Sequence, residues 1–227
     1  MAISKQSLSF LESLSNNNTK DWFTENKETY LTAKEDMELF ADSVLELLNE
    51  IDQIETPSGK KALKRIYRDV RFSKNKTPYK NNFGMGFVRS GATRRGGFYI
   101  HIQPNACFIG GGFWGPEKED LLQIRKHIEV DDSELRSVIN SPEFTSTFGQ
   151  LQGEQLKSAP KGFDKTHPAI DLLRYKQFIV STHFTSQEIL SPDFAKKAVE
   201  VYQTMLPFFE VMTEMLTTNL NGESLID

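Results

Sequence analysis

Phe23, Tyr30, Met37, Val44 and Ile51 recur every seven residues, Ala33, Phe40 and Leu47 fill a second heptad position, and beyond Gly59 this period gives way to alternation. A heptad stripe buries one face of a helix, whereas alternation buries one face of a strand. Runs of each kind in separate stretches of one chain define an α+β fold. The stripe predicts a single long helix from about Lys20 to Asp52 that packs on another helix. It lacks the flanking charge code that would specify a coiled-coil dimer. Ahead of it, Ser4 is placed to cap a short helix bearing Leu8, Leu11 and Leu14, and Asn18 or Thr19 to cap the next.

After the Thr56–Gly59 loop, Ile66, Val70 and Phe72 alternate with Arg65, Tyr67, Asp69 and Arg71. A second strand is expected over Phe83–Arg89, a third over Phe98–Ile102 and a fourth over Ala106–Gly110, joined as an antiparallel meander. Gln177–Phe184 is a candidate fifth. Helical patterns return after Pro116, near Ser133–Asn140, at Pro142–Phe148 and after Pro168. A long final helix begins at Ser191-Pro192 and runs through Pro207. The expected architecture is one domain over residues 1–227. An antiparallel sheet of four to five strands packs against long N- and C-terminal helices, with helices at about 5–52, sheet at 63–113 and a mixed helical part at 116–220.

No apolar run approaches the ~20 residues that span a bilayer, and the first residues lack the apolar core of a signal peptide. The lone Cys107 cannot form an internal disulfide, which fits a reducing cytoplasm. The expectation is a cytoplasmic protein without a membrane partner.

The formal net charge of −4 conceals a division. Lys60–Arg95 carries six Lys and six Arg against Asp69 alone, giving +11, while the remaining 15 basic and 30 acidic side chains give −15. Such a balance disfavours a protein that coats nucleic acid, since most of its surface would repel phosphate; a local anion pocket is compatible with it.

Within that segment, a strand would project Arg65, Tyr67, Asp69 and Arg71 from one face, with Arg68 turned to the side of Ile66 and Val70. Arg offers a planar fork for phosphate or carboxylate, which Asp69 can orient, and Lys74, Lys76 and Lys80 can close over a bound anion beside Tyr79. The expected ligand-binding set is therefore Arg65, Tyr67, Arg68, Asp69, Arg71, Lys74, Lys76, Tyr79 and Lys80. The bland alternative is an exposed, ion-paired face with solubilising lysines. Surface pairs contribute only ~0–1 kcal/mol, so stability gives little reason to cluster them.

Asn18-Thr19-Lys20-Asp21-Trp22-Phe23 with Tyr30, and Tyr67-Arg68-Asp69-Val70-Arg71-Phe72-Ser73-Lys74 with Thr77-Pro78-Tyr79-Lys80, resemble the domain of unknown function 2461 family. Tyr99-Ile100-His101-Ile102-Gln103-Pro104, Gly110-Gly111-Gly112-Phe113-Trp114 before Pro116, and Gly162-Phe163 with His167-Pro168 extend the similarity over nearly the whole chain. The resemblance implies one compact domain and marks the same residues, and it implies no reaction. The family pattern carries Asp where this chain has Asn75, which removes a second candidate acid.

Asp69 and His101 are the candidate catalytic groups. His101, beside Tyr99 and Gln103, reads either as a general base or as a half-buried sheet histidine. His167 reads as a loop or capping residue. The histidines and Cys107 show no metal-ligand spacing, so neither metal nor cofactor is expected. Gly110-Gly111-Gly112 admits close approach by a ligand or a strand, and the helix start after Pro116 offers N–H groups to an anion. Three function classes stand: a binding protein for a phosphorylated or carboxylated small molecule, an enzyme on phosphate-containing substrates, and a nucleic-acid-binding module.

Overall fold

The computed structural model describes residues 2–226. In chain order its elements are helices α1 (Lys5–Asn16), α2 (Lys20–Glu25), α3 (Lys27–Leu48) and α4 (Gly59–Ala62), strands β1 (Phe83–Val88), β2 (Gly97–Ile102) and β3 (Cys107–Phe113), helices α5 (Lys118–Val130), α6 (Ser133–Ile139), α7 (Pro142–Phe148) and α8 (Ile170–Leu173), strand β4 (Phe178–Phe184), and helices α9 (Ser186–Ile189) and α10 (Phe194–Thr217). The fold is α+β, with one antiparallel sheet in the order β1-β2-β3-β4.

Both outer edges of the sheet are partly covered. Leu63 bridges Met85 and Lys64 donates to the Gly84 carbonyl beside β1; Gln152 pairs with Ile179 beside β4. Short covering segments of this kind blunt an edge that would otherwise recruit another strand.

The chain forms two compact units, each gathered from three stretches: Met1–Val88, Tyr99–Ile109 and His183–Glu200 in one, Arg89–Phe98, Gly110–Thr182 and Val201–Asp227 in the other. In the first, the Ser4 hydroxyl accepts the Ser7 N–H to start α1, and Asp36 of α3 accepts from Ser4 N (3.0 Å) and Ser7 Oγ (2.6 Å). Leu8, Leu11 and Leu14 are buried with Ala33, Met37, Phe40 and Val44 of the heptad face. Burying such a side chain stabilises by about 1.5–3 kcal/mol relative to exposure. Gly59 is the only residue type that fits where α4 meets α3, because a Cβ there would strike the Glu38 carbonyl and the Asp42 N–H.

In the second unit, Phe98 packs on Tyr202 and Phe209 (centroids 4.6 and 5.0 Å), and Phe113 and Phe144 meet Phe208. Ile124 and Ile128 are the buried face of α5, while Leu122 is exposed. Arg125 reaches from α5 to the carbonyls of Leu173 and Tyr175, which closes the end of α8.

Three expectations are corrected. The expected helix over Lys20–Asp52 is two helices, broken at Asn26, whose backbone leaves helical geometry (φ −102°, ψ 20°) while its amide donates to the Trp22 carbonyl. Side chains that bond the nearby backbone compete with the helix in this way. Residues 65–72 form no strand. Pairing is confined to Ile66–Arg68 against Pro78–Lys80, because Asp69 captures the Arg71 N–H (3.2 Å) and turns the chain. The sheet is accordingly completed by β4 instead of a strand at 65–72. Finally, Pro116, which suits a first helical position, lies outside α5, which begins at Lys118.

Candidate functional site

The polar run between α1 and α2 and the hairpin of residues 64–82 build the site together. Thr19 caps α2 through the Trp22 N–H (3.3 Å), which leaves Asn18 free to grip the hairpin. Its Nδ2 donates to the Tyr79 carbonyl (3.0 Å) and its Oδ1 accepts the Tyr79 N–H (3.1 Å). The Tyr79 ring stacks on Phe23 (3.9 Å, 11°), with Tyr67 at 5.4 Å from Tyr79. Helix N-cap chemistry, an amide clamp and an aromatic stack thus fix the hairpin base.

Beyond that base, Arg68 donates to the Thr77 carbonyl (3.3 Å), the Thr77 hydroxyl and the Ser73 hydroxyl (3.4 Å). Asn75 Oδ1 accepts from Thr77 N and Oγ1 (3.0 and 2.9 Å), and Lys76 Nζ donates to the Val70 carbonyl (2.9 Å). Asp69 and Arg71 form a two-pronged pair at 3.0 and 2.6 Å on the exposed tip. That bond holds the Asp69 carboxyl below its usual range.

Arg68, Asn75 and Thr77 of this hairpin, with Asn18 and Tyr79 at its base, line a cleft of about 360 Å³. Arg68 and Lys80 stand on its wall with Thr77, and Asn18, Asn75, Asn81 and Asn82 surround them with amides. None of its lining residues is Asp or Glu. Among the described residues the Lys80 ammonium has no acid partner. Burial, then Arg65 and Lys64, push its pKa down. Clustered like charge around a half-enclosed ammonium is an arrangement that an anion would relieve.

Of the nine expected ligand-binding residues, the cleft gathers Arg68, Tyr79 and Lys80. Arg65, Tyr67, Asp69, Arg71, Lys74 and Lys76 are exposed and are not among its lining residues. Arg68 is half-buried, and it lies in the cleft instead of beneath a sheet. Sequence reasoning missed Ser15, Asn18, Asn75, Thr77, Asn81 and Asn82. The Asn-rich runs at 16–18 and 81–82 were visible, but their convergence depends on the Asn18–Tyr79 contact across the chain.

The other candidates make contacts of their own. His101 lies between the Tyr99 hydroxyl (Nδ1, 3.3 Å) and the Gln103 side-chain oxygen (Nε2, 2.9 Å) and stacks on Phe108 at 4.7 Å. Burial pushes its pKa down, partly opposed by Gln103. His167 accepts the Ala169 N–H at 3.1 Å, a loop-closing role. The glycine run serves close packing: a Cβ on Gly111 would meet Met205 and Phe209, and one on Gly112 (φ 128°) would enter the Phe178 backbone. The first turn of α5 already carries Glu119 and Asp120, which complement its N-terminal dipole and oppose an anion there.

A larger cleft of about 490 Å³ lies in the second unit, but its cation, Arg136, is bound by Asp132 and Asp171. Among the described residues no group of three His, Cys, Asp or Glu side chains is placed to hold a metal, and no helix is long and apolar enough to cross a membrane.

The structure therefore defines an α+β protein with a cationic, acid-free cleft at the foot of a hairpin. Residues 6–210 match the family described as "Conserved hypothetical protein (DUF2461)", and the chain belongs to that family. Comparison with curated proteins and with solved structures returned no match.

Proposed function

We propose that the chain binds a small phosphorylated or carboxylated anion in the hairpin cleft. The observation that carries this reading is the pairing of Arg68 and Lys80 on one polar wall with no carboxylate among its lining residues. A cation about 4 Å from an anion contributes about 4 kcal/mol at the effective dielectric of a protein surface, before desolvation. Two such cations with hydroxyl and amide donors fit affinities of about 4–8 kcal/mol, millimolar to micromolar. Asp69 is engaged by Arg71, and His101 by Tyr99 and Gln103, which favours binding over a catalysed reaction.

Isothermal titration with phosphate, pyrophosphate, sulfate and small dicarboxylates tests the reading. Lys80→Met is expected to weaken binding at least tenfold, and unchanged affinity in that variant refutes it. Sulfate adds a sign test because it does not titrate near neutrality. Its affinity is full below the depressed Lys80 pKa and falls as pH rises through it. Lys80→Arg removes that fall.

A further inference from the structure

Phe72 is 97% exposed at the tip of the hairpin, the most exposed large apolar side chain among the described residues. The Arg71 guanidinium lies over its ring, 5.9 Å from the centroid, and the rest of the ring faces solvent. Nothing in the packing of the chain accounts for it. Its neighbour Ser73 accepts from Arg68, so the ring sits one residue from a side chain that is bonded to the cleft wall. Tyr67, 53% exposed, offers a second ring beside cleft-lining Tyr79. Lys64, Arg65 and Lys74 of the same hairpin are exposed, and the only acid between Lys60 and Arg95, Asp69, is held by Arg71.

We infer that the hairpin is a contact site for single-stranded nucleic acid, with one phosphate in the cleft and an unpaired base stacked on Phe72. The inference rests on the anion reading of the cleft. Aromatic faces interleaved with cations are the chemistry by which single strands are held, since every base presents a π-face and every linkage a charge. A duplex hides its base faces, so it leaves Phe72 unused. An anionic membrane is the poorer fit. One phenyl is a smaller anchor than a myristoyl chain, which alone binds only marginally, and Tyr67 carries a hydroxyl. The acidic remainder of the chain confines the contact to the hairpin, so the footprint is a few nucleotides, not a coat.

The test is fluorescence anisotropy with a labelled oligothymidylate of about a dozen nucleotides at low salt, alongside phosphate calorimetry on the same samples. Phe72→Ala is expected to weaken the oligonucleotide about 5- to 150-fold, the range of one base stack, while leaving phosphate affinity unchanged. Phosphate is expected to compete with the strand. The logarithm of affinity should fall with that of salt at a slope of about −0.7 per phosphate engaged. The variant folds normally because the ring touches no core. Phosphate binding without oligonucleotide binding, or a Phe72→Ala variant that binds the strand as before, overturns the inference and leaves the anion reading standing. A duplex, a mononucleotide or anionic vesicles bound as tightly as the strand also overturn it. Absence of phosphate binding removes the phosphate reading of the cleft, and the inference with it.

Discussion

Replacing Asn18 by Ala removes one side chain that makes two hydrogen bonds to the backbone of a residue 61 positions away. Each such bond contributes a net ~0.5–1.5 kcal/mol, so the pair contributes about 1–3 kcal/mol. The Tyr79 N–H and carbonyl have no other strand to turn to at that point, because the hairpin ladder is limited to the Arg68 and Lys80 amides. For a chain of this length, that loss corresponds to a fall of about 2–12 °C in melting temperature. Urea denaturation measures it. Asn17→Ala is the control, since Asn17 is exposed and its side chain bonds only the Ser13 carbonyl of the first helix, and its effect should stay within about 0.5 kcal/mol. Asn18→Asp separates stability from ligand binding. The carboxylate still accepts the Tyr79 N–H, loses the donation to the carbonyl, and places a negative charge on the cleft wall. It should therefore suppress anion binding more than Asn18→Ala at similar stability. An Asn18→Ala change below about 0.5 kcal/mol, with amide exchange in the hairpin unaltered, refutes the clamp.

Gly112→Ala should cost about 3 kcal/mol or more, since the residue sits at φ 128° and its new methyl would enter the Phe178 backbone; soluble expression and urea midpoints report the loss, and a neutral effect contradicts the packing. His101 is pushed below its ordinary 6.5 by burial, so between the depressed value and 6.5 the folded state holds fewer protons than the unfolded chain. Stability is then full above about 6.5 and falls as pH drops through that window. His101→Asn should flatten that part of the acid limb, as urea midpoints across it would show.

Much of the fold was legible because burial and period coincide. Phe83, Met85 and Phe87, then Phe98, Ile100 and Ile102, alternate and are buried as alternation requires. The heptad residues Phe23, Met37, Val44, Ala33 and Phe40 line a core face even though Asn26 divides the helix. Where the reading failed, a local polar contact prevailed over pattern. Residues 65–72 alternate well enough for a strand, yet Ile66 alone is fully buried, Val70 is half-buried and Phe72 lies in solvent. An Asp two residues ahead of an Arg N–H supplies a turn that hydrophobic periodicity does not register. The site was legible as a charge excess but not as a cleft. Its cations come from one segment, while the residue that positions them, Asn18, comes from the junction of two N-terminal helices and reads in isolation as a cap.

That division alters what the basic segment means. Arg89, Arg94 and Arg95 belong to the second unit, where Arg95 pairs with Asp120 and Arg89 lies over the Phe209 ring while donating to the Arg95 carbonyl. These are internal contacts, and they remove part of the excess from any ligand argument. What is left, from Lys60 to Lys80, holds nine cations against Asp69 alone, and that acid is committed to Arg71. Like charges held together destabilise a compact state, and at Lys80 burial first, then Arg65 and Lys64, push the pKa down. An ion-paired solvated face would place acids among these lysines. A surface built only for solubility would intersperse the two signs. The hairpin does neither. Two of its cations, Arg68 and Lys80, stand together in an amide-lined cleft, and this placement, more than the charge count, is what supports the proposed anion reading.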